Sequence, residues 1–435
     1  MNSEEPLETK SFWSDSRLAG AILFLSAILS IVIANSPLAH SFHHLLETPF
    51  GISLGGLLVS KSIHHWINDG LMAIFFFVVG LELKREVIAG ELSDPRKAML
   101  PVAAALGGML FPALIYVGFN GGGEGAEGWG IPMATDIAFA LGVLHLLGNR
   151  VPLSLKVFLT ALAVADDIGA VLVIAFFYTS DINMMSLGVA GVILVLMMIA
   201  NRMGVRNTTF YAVFSICGLW LSFLMSGVHP TIAAVLAAFT IPANVKLPEV
   251  DYIQKMDKLM DGFRAAIPNG KPTVTEEQLH LLEDIRTASK HALTPLQRLE
   301  HMLHPFVALL IMPIFALCNA GFVIGSDFAE GLLHPVSIGS FVGLLLGKFI
   351  GVAGTVWLFQ KAGWSPLPTG MNQRHVMGAG LLAGIGFTMS LFVAGLAFPG
   401  GPMMEHAKIG IVCGSVVAGV AGYFVLKGAD PKGTA

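Results

Sequence analysis

The sequence predicts an all-α polytopic membrane protein of twelve transmembrane helices. Spans 3-5 and 10-12 form inverted-topology repeats, and spans 4 and 11 are interrupted crossing helices. Three observations carry this expectation. First, 54% of the 435 residues are hydrophobic and only 12% are charged, with a mean hydropathy of +0.74. A soluble domain carries about twice that charge fraction, so the apolar excess must face lipid. Second, apolar runs of about 20 residues recur along the chain. Third, the basic residues fall on alternate connections between those runs. A soluble enzyme and a disordered chain are excluded, and a formal net charge of −4 leaves no basic surface for nucleic acid. Cys217, Cys318 and Cys413 lie inside apolar runs, so neither a disulfide framework nor a Cys-based metal site is expected.

Residues 1–17 form an N-terminal tail, mixed in charge and leaning acidic. That is unlike a signal-peptide n-region, so span 1 (18–36) is expected to stay attached. Residues 49–61, P-F-G-I-S-L-G-G-L-L-V-S-K, alternate around Gly55-Gly56 and read as a β-hairpin on the periplasmic face. Span 2 (64–83) holds Asp69 and Glu82 near its two ends, where carboxylates reach the interface and a structural role is at least as expected as transport. Spans 3 (98–119), 4 (131–148), 5 (153–178), 6 (184–201), 7 (208–226) and 8 (228–243) follow, with 4 and 8 short.

The connection 244–302 is much longer than the others. Ile253, Met256, Met260 and Phe263 recur there at helical spacing. A second helix starts at Thr275, with Gln278 completing a capping box. This cytoplasmic helical insertion, about 247–293, reads as a solvated face or a membrane-surface helix. Spans 9 (303–322), 10 (337–359), 11 (375–398) and 12 (406–427), with a tail at 428–435, complete the chain. Of the 25 Lys and Arg residues, 21 fall on one side, which places both termini in the cytoplasm.

Ionisable residues at the bilayer midplane cost about 2.5–3.5 kcal/mol each on insertion scales. The midpoint of span 5 falls between Ala165 and Asp166, span 10 is centred on Lys348, and span 4 carries Asp136 beside Thr135. One buried Asp–Lys pair would merely fix helix packing, but it leaves a second acid at the same depth without a partner. Adjacent residues on a helix point about 100° apart, so Asp166 and Asp167 can address different partners around one cavity. They cannot both ionise cheaply. Two carboxylates, a hydroxyl and freed carbonyls suit a small hard cation. The same oxygens hold either protons or Na⁺ or Li⁺, and such competition with alternating access is sufficient for antiport. About two protons would leave for one monovalent ion, so net charge would move. Helix breaks support a cavity at this depth: Gly130-Ile131-Pro132 precedes Thr135-Asp136, and Gly384-Ile385-Gly386-Phe387-Thr388 lies within span 11.

These residues resemble the bacterial NhaA-type sodium/proton antiporters. The strings that carry the resemblance include W-I-N-D-G-L-M-A-I-F-F-F-V-V-G-L-E-L-K-R-E (66–86), I-P-M-A-T-D-I-A-F-A-L-G-V-L (131–144) and L-A-V-A-D-D-I-G-A (162–170). R-L-E-H-M-L-H-P (298–305) and G-I-G-F-T-M-S (384–390) add to it. The resemblance implies electrogenic exchange of Na⁺ or Li⁺ for protons across the inner membrane, activated at alkaline pH. It implies that Asp166 and Asp167 bind the cation, that Asp166 pairs alternately with Lys348, and that Thr135 and Asp136 sit at an unwound crossing. Glu82, Arg85, Glu300, His301 and His304 match a cytoplasmic funnel linked to pH response, and His229 matches a further such residue. A homodimer held partly by the hairpin is implied, and no cofactor. The insertion near 247–293, Phe349 after Lys348 and Phe306 after Pro305 depart from the family pattern.

Three rivals use the same residues. A proton-coupled organic-cation carrier would need a roomier, aromatic-lined pocket. A cation channel would need a filter that is absent here, and Lys348 would repel its ions. A non-transporting pH sensor on the same scaffold would use the insertion.

Overall fold

In lipid every backbone polar group must be paired within the protein, so long apolar runs fold as helices. The computed structural model describes residues 16–54, 57–179, 182–267, 271–325 and 328–429; among them the regular structure is helical apart from one two-stranded hairpin. Residues 1–15 and 430–435, and Gly55-Gly56, about which the hairpin is expected to reverse, lie outside the described residues.

Helix α1 (Ser16–Ala34) turns through 109° into α2 (Ala39–Glu47). Strands β1 (Pro49–Leu54) and β2 (Leu57–Ser62) pair antiparallel, from Pro49 opposite Ser62 to Leu54 opposite Leu57. A wide helical turn at Trp66–Leu71 leads into α3 (Met72–Ala89). Helix α4 (Pro95–Asn120) starts where the Asp94 carboxylate accepts the Arg96 N–H at 2.9 Å. A tight helical segment, Ala126–Met133, precedes α5 (Ile137–Leu147). Then come α6 (Leu153–Phe177), α7 (Met184–Arg202), α8 (Thr208–Leu224) and α9 (Pro230–Thr240). The insertion holds α10 (Glu249–Ala265) and α11 (Glu276–Ala292), the latter capped by Thr275 and Gln278. Helices α12 (Pro295–Asn319), α13 (Pro335–Lys361), α14 (Gln373–Leu382), α15 (Phe387–Ala397) and α16 (Pro402–Lys427) follow.

Seven helical stretches among the described residues are long and apolar enough to cross a membrane, or up to nine if the bent pairs α1–α2 and α14–α15 each count once. The distance from the expected twelve lies in α3, α8 and α9. The last two are apolar but short, and α3 ends in Glu82, Lys84, Arg85 and Glu86. Glycine lets α4 and α13 approach closely: a Cβ on Gly347 would lie 2.6 Å from Pro112 Cα, and one on Gly108 would lie 2.9 Å from Val352 Cγ2 and 3.7 Å from Lys348 Cδ. The stem of Lys348 runs through the space Gly108 leaves.

Candidate functional site at two crossed helix breaks

Two breaks meet inside the molecule. After the Ala126–Met133 segment the backbone extends, with ψ of 144° at Ala134 and 96° at Asp136, before α5 begins. Helices α14 and α15 are bent by 43° across Ala383–Gly386. Each break pairs the polar groups the other sets free. The Asp136 N–H donates to the Ile385 carbonyl at 2.6 Å, and the Ser390 hydroxyl donates to the Ile131 carbonyl at 2.7 Å. Gly384 and Gly386 fall within the second break, whereas Pro132 lies in the tight helical segment that precedes the first.

Asp136 caps α5 by accepting the Phe139 N–H at 3.2 Å. Its other oxygen accepts the Thr388 N–H at 3.1 Å and the Thr388 hydroxyl. One carboxylate thus faces the positive ends of two helices, α5 and α15. From the sequence, Thr388 enters only within the interrupted string of span 11 and is given no role at the site. Its signal is a hydroxyl placed just after Gly-Ile-Gly-Phe, at the start of the second half-helix.

On α6, Asp166 and Asp167 point to different surroundings. Asp166 forms an ion pair with Lys348 of α13, and both side chains are 0% exposed. The Thr135 hydroxyl lies 2.7 Å from Asp166 Oδ2 and 2.8 Å from the Ala383 carbonyl. Asp167 has no ion pair and no side-chain hydrogen bond among the described residues. It lines a cavity of about 340 Å³ together with Thr135, Asp136, Glu82, Arg85, Glu300 and His304. Arg85 Nη1 donates to Glu300 Oε1 at 2.5 Å, and His304 Nε2 lies 4.0 Å from Glu82 Oε1. His301 is exposed and is not part of the cavity wall.

His229 lies elsewhere. It lines a second cavity of about 780 Å³ at the opposite end of α3. There Asp69 is held between His65, with Nε2 to Oδ2 at 2.7 Å, and His229, with Nε2 to Oδ1 at 3.4 Å. The sequence pattern does not bring these three together. Helix α15 separates the cavities: Met389 lines the first and Phe392 the second. The Phe392 ring packs 5.3 Å from Phe76, 5.5 Å from His229 and 6.2 Å from Phe315, measured between ring centroids. Among the described residues no cluster of three or more His, Cys, Asp or Glu could hold a resident metal ion.

The family described as Na⁺/H⁺ antiporter 1 matches residues 10–426. The chain is similar to the Na(+)/H(+) antiporter NhaA of Oleidesulfovibrio alaskensis, 47% identical over 428 residues, covering 97% of this chain and 95% of the relative. The Na(+)/H(+) antiporter NhaA 1 of Saccharophagus degradans is 46% identical over 418 residues, covering 95% and 90%. The Na(+)/H(+) antiporter NhaA of Wolinella succinogenes is 45% identical over 420 residues, covering 96% and 92%.

Proposed function

The chain belongs to the Na⁺/H⁺ antiporter 1 family, and on that premise we propose that it exchanges cytoplasmic Na⁺, or Li⁺, for external protons across the bacterial inner membrane. One observation supports this most. Of the three acids at Asp136, Asp166 and Asp167, Asp136 is offset by two helix ends and Asp166 by Lys348, while Asp167 lines the cavity with no fixed counter-charge. Burying an unpaired carboxylate is costly, and a proton or a small hard cation on Asp167 offsets that cost. The two occupants exclude one another, and that exclusion couples their movements.

In this reading Na⁺ arrives through the cavity that carries Glu82, Arg85, Glu300 and His304, which is the cytoplasmic side by the distribution of Lys and Arg. Cation binding draws Asp166 into the site beside Asp167, with Thr135 as a hydroxyl ligand. Asp167 then gives up its proton, and the Lys348 ammonium, left without Asp166, gives up a second, so two protons leave for one Na⁺ and exchange is electrogenic. Movement about the two breaks opens the second cavity as Phe392 leaves its aromatic neighbours, and the cation departs there. Asp136 remains as the fixed charge that keeps the crossing together. Twelve spans, with α3, α8 and α9 crossing as parts of the bundle, put both termini in the cytoplasm and the hairpin in the periplasm, where it joins two copies of the chain. The Glu82, Arg85, Glu300, His301 and His304 group, with His229 across the membrane, sets the pH response.

A pocket for an organic cation would be rich in aromatic side chains. Among the described residues Phe75 is the one Phe, Tyr or Trp on the wall of the first cavity, which favours a bare ion. The test is Na⁺-induced collapse of a proton gradient in everted vesicles, wild type against Asp167→Asn, with choline as the salt control. A collapse specific to Na⁺ and Li⁺ that disappears in the variant supports the proposal. A well-folded wild type that shows no cation response at any pH overturns it.

A further inference from the structure

The insertion brings together charges that ion exchange does not use. Where α11 meets α12 and the start of α8 there is a third cavity, of about 730 Å³. Arg286 and Lys290 of α11 line it one helical turn apart, and Arg298 of α12 closes it from the other side. Among the described residues none of these three cations has an ion pair or a side-chain hydrogen bond, and Glu283 is the one acid on the wall. His291, the residue after Lys290, is held below the ordinary imidazole range by partial desolvation and by the charges of Lys246, Lys255, Lys290 and Arg206. The local field is therefore positive.

The cavity's lower wall is apolar. Leu299 and Met302 form it, and Met302 is 63% exposed. Thr208, the first residue of the apolar helix α8, lines the same cavity. The neighbouring α10 carries Val250, Ile253 and Met260, all exposed. Unpaired cations above an apolar sill match a phospholipid, with its phosphate held by Arg and Lys and its chains lying along Met302. A free phosphate would use the cations and leave the sill in water.

We propose that this pocket binds the phosphate of an anionic phospholipid of the cytoplasmic leaflet. The bound lipid pins α11 to α12 two residues from Glu300, whose partner Arg85 lines the first cavity. The insertion thereby ties the inner cavity to the charge of the surrounding membrane. The choice of leaflet rests on the topology proposed above.

The test uses the purified full-length protein, stripped of lipid and offered vesicles of phosphatidylcholine alone or mixed with phosphatidylglycerol. Native mass spectrometry reads retained lipid, and Na⁺-driven proton flux reads transport. Phosphatidylglycerol is expected to be retained and to raise wild-type flux above the phosphatidylcholine rate. Each of Arg286→Gln, Lys290→Gln and Arg298→Gln is expected to weaken retention about fivefold, the usual worth of one basic residue at an anionic surface. Glu283→Gln is expected to strengthen it, a gain that misfolding cannot produce. Retention by the arginine and lysine variants equal to wild type overturns the inference. So does displacement of phosphatidylglycerol by millimolar inorganic phosphate, which would make this a site for the free anion. Loss of flux in both vesicle types with lipid retention intact counts against the proposed exchange and leaves the lipid site standing.

Discussion

Asp166 and Lys348 form an ion pair with both side chains fully buried, and the next residue, Asp167, faces the cavity without a counter-charge. Two neighbours on one helix thus differ: one is neutralised by protein, and the other has no fixed counter-charge. This division is the basis of the proposed exchange, and it sets what each substitution should do.

Removing the lysine leaves Asp166 buried and uncompensated. Lys348→Ala is expected to lower stability by about 3–5 kcal/mol, the usual result of breaking a buried pair from one side. Adding Asp166→Asn removes the stranded charge and should recover most of that loss. Thermal unfolding in detergent measures both. Equal stability of Lys348→Ala and wild type would mean that the pair does not hold α6 to α13.

Thr388 gives Asp136 a hydroxyl as well as an N–H, and the backbone bond survives any substitution. Thr388→Val is expected to cost about 1.5–3 kcal/mol, as for a hydrogen bond to a charged group, and to lower the apparent Na⁺ affinity as the crossing loosens. Thr388→Ser should behave like wild type. A valine variant with unchanged stability and affinity would show that the helix ends alone satisfy Asp136.

Phe392 stands between the two cavities, packed on Phe76, Phe315 and His229. Phe392→Ala opens a space with polar edges that water can occupy. The expected outcome is a proton leak without Na⁺ in proteoliposomes, with Phe392→Leu remaining tight. Leak-free vesicles with the alanine variant would place the barrier elsewhere.

A methyl group on Gly347 would sit 2.6 Å from Pro112 Cα, whereas one on Gly354 meets nothing within 4 Å. Gly347→Ala is expected to lose about 1–3 kcal/mol by overpacking, and Gly354→Ala to lose almost nothing. Their thermal stabilities in one detergent settle the comparison.

What the sequence made legible follows from cost. An Asp or Lys inside an apolar run is conspicuous because lipid penalises it, so Asp136, Asp166, Asp167 and Lys348 stand out from hydropathy alone. Gly and Pro at 130–132 and 384–386 stand out because they disfavour helix; the chain unwinds at Ala134–Asp136, just after the first set, and at Ala383–Gly386, across the second. Thr388 does not, because a lone Thr is cheap in a helix and its importance comes from Asp136, 252 positions away in sequence. The Asp69, His65 and His229 group is hidden for the same reason: His229 reaches Asp69 only through the packing of α9 against α3. Helices α8 and α9 are too short to count as spans by length alone. Hydropathy groups them with the longer runs, and the difference emerges only from their folded lengths.

The central claim is that protons and Na⁺ compete for Asp167. Its most direct test is proton release from the purified protein in weakly buffered detergent solution when Na⁺ is added, with choline as the control. The wild type is expected to release protons in a saturable, Na⁺- and Li⁺-dependent manner, and Asp167→Asn to release none while keeping its fold. Release by Asp167→Asn equal to that of the wild type would contradict the account and move the site of competition away from this carboxylate.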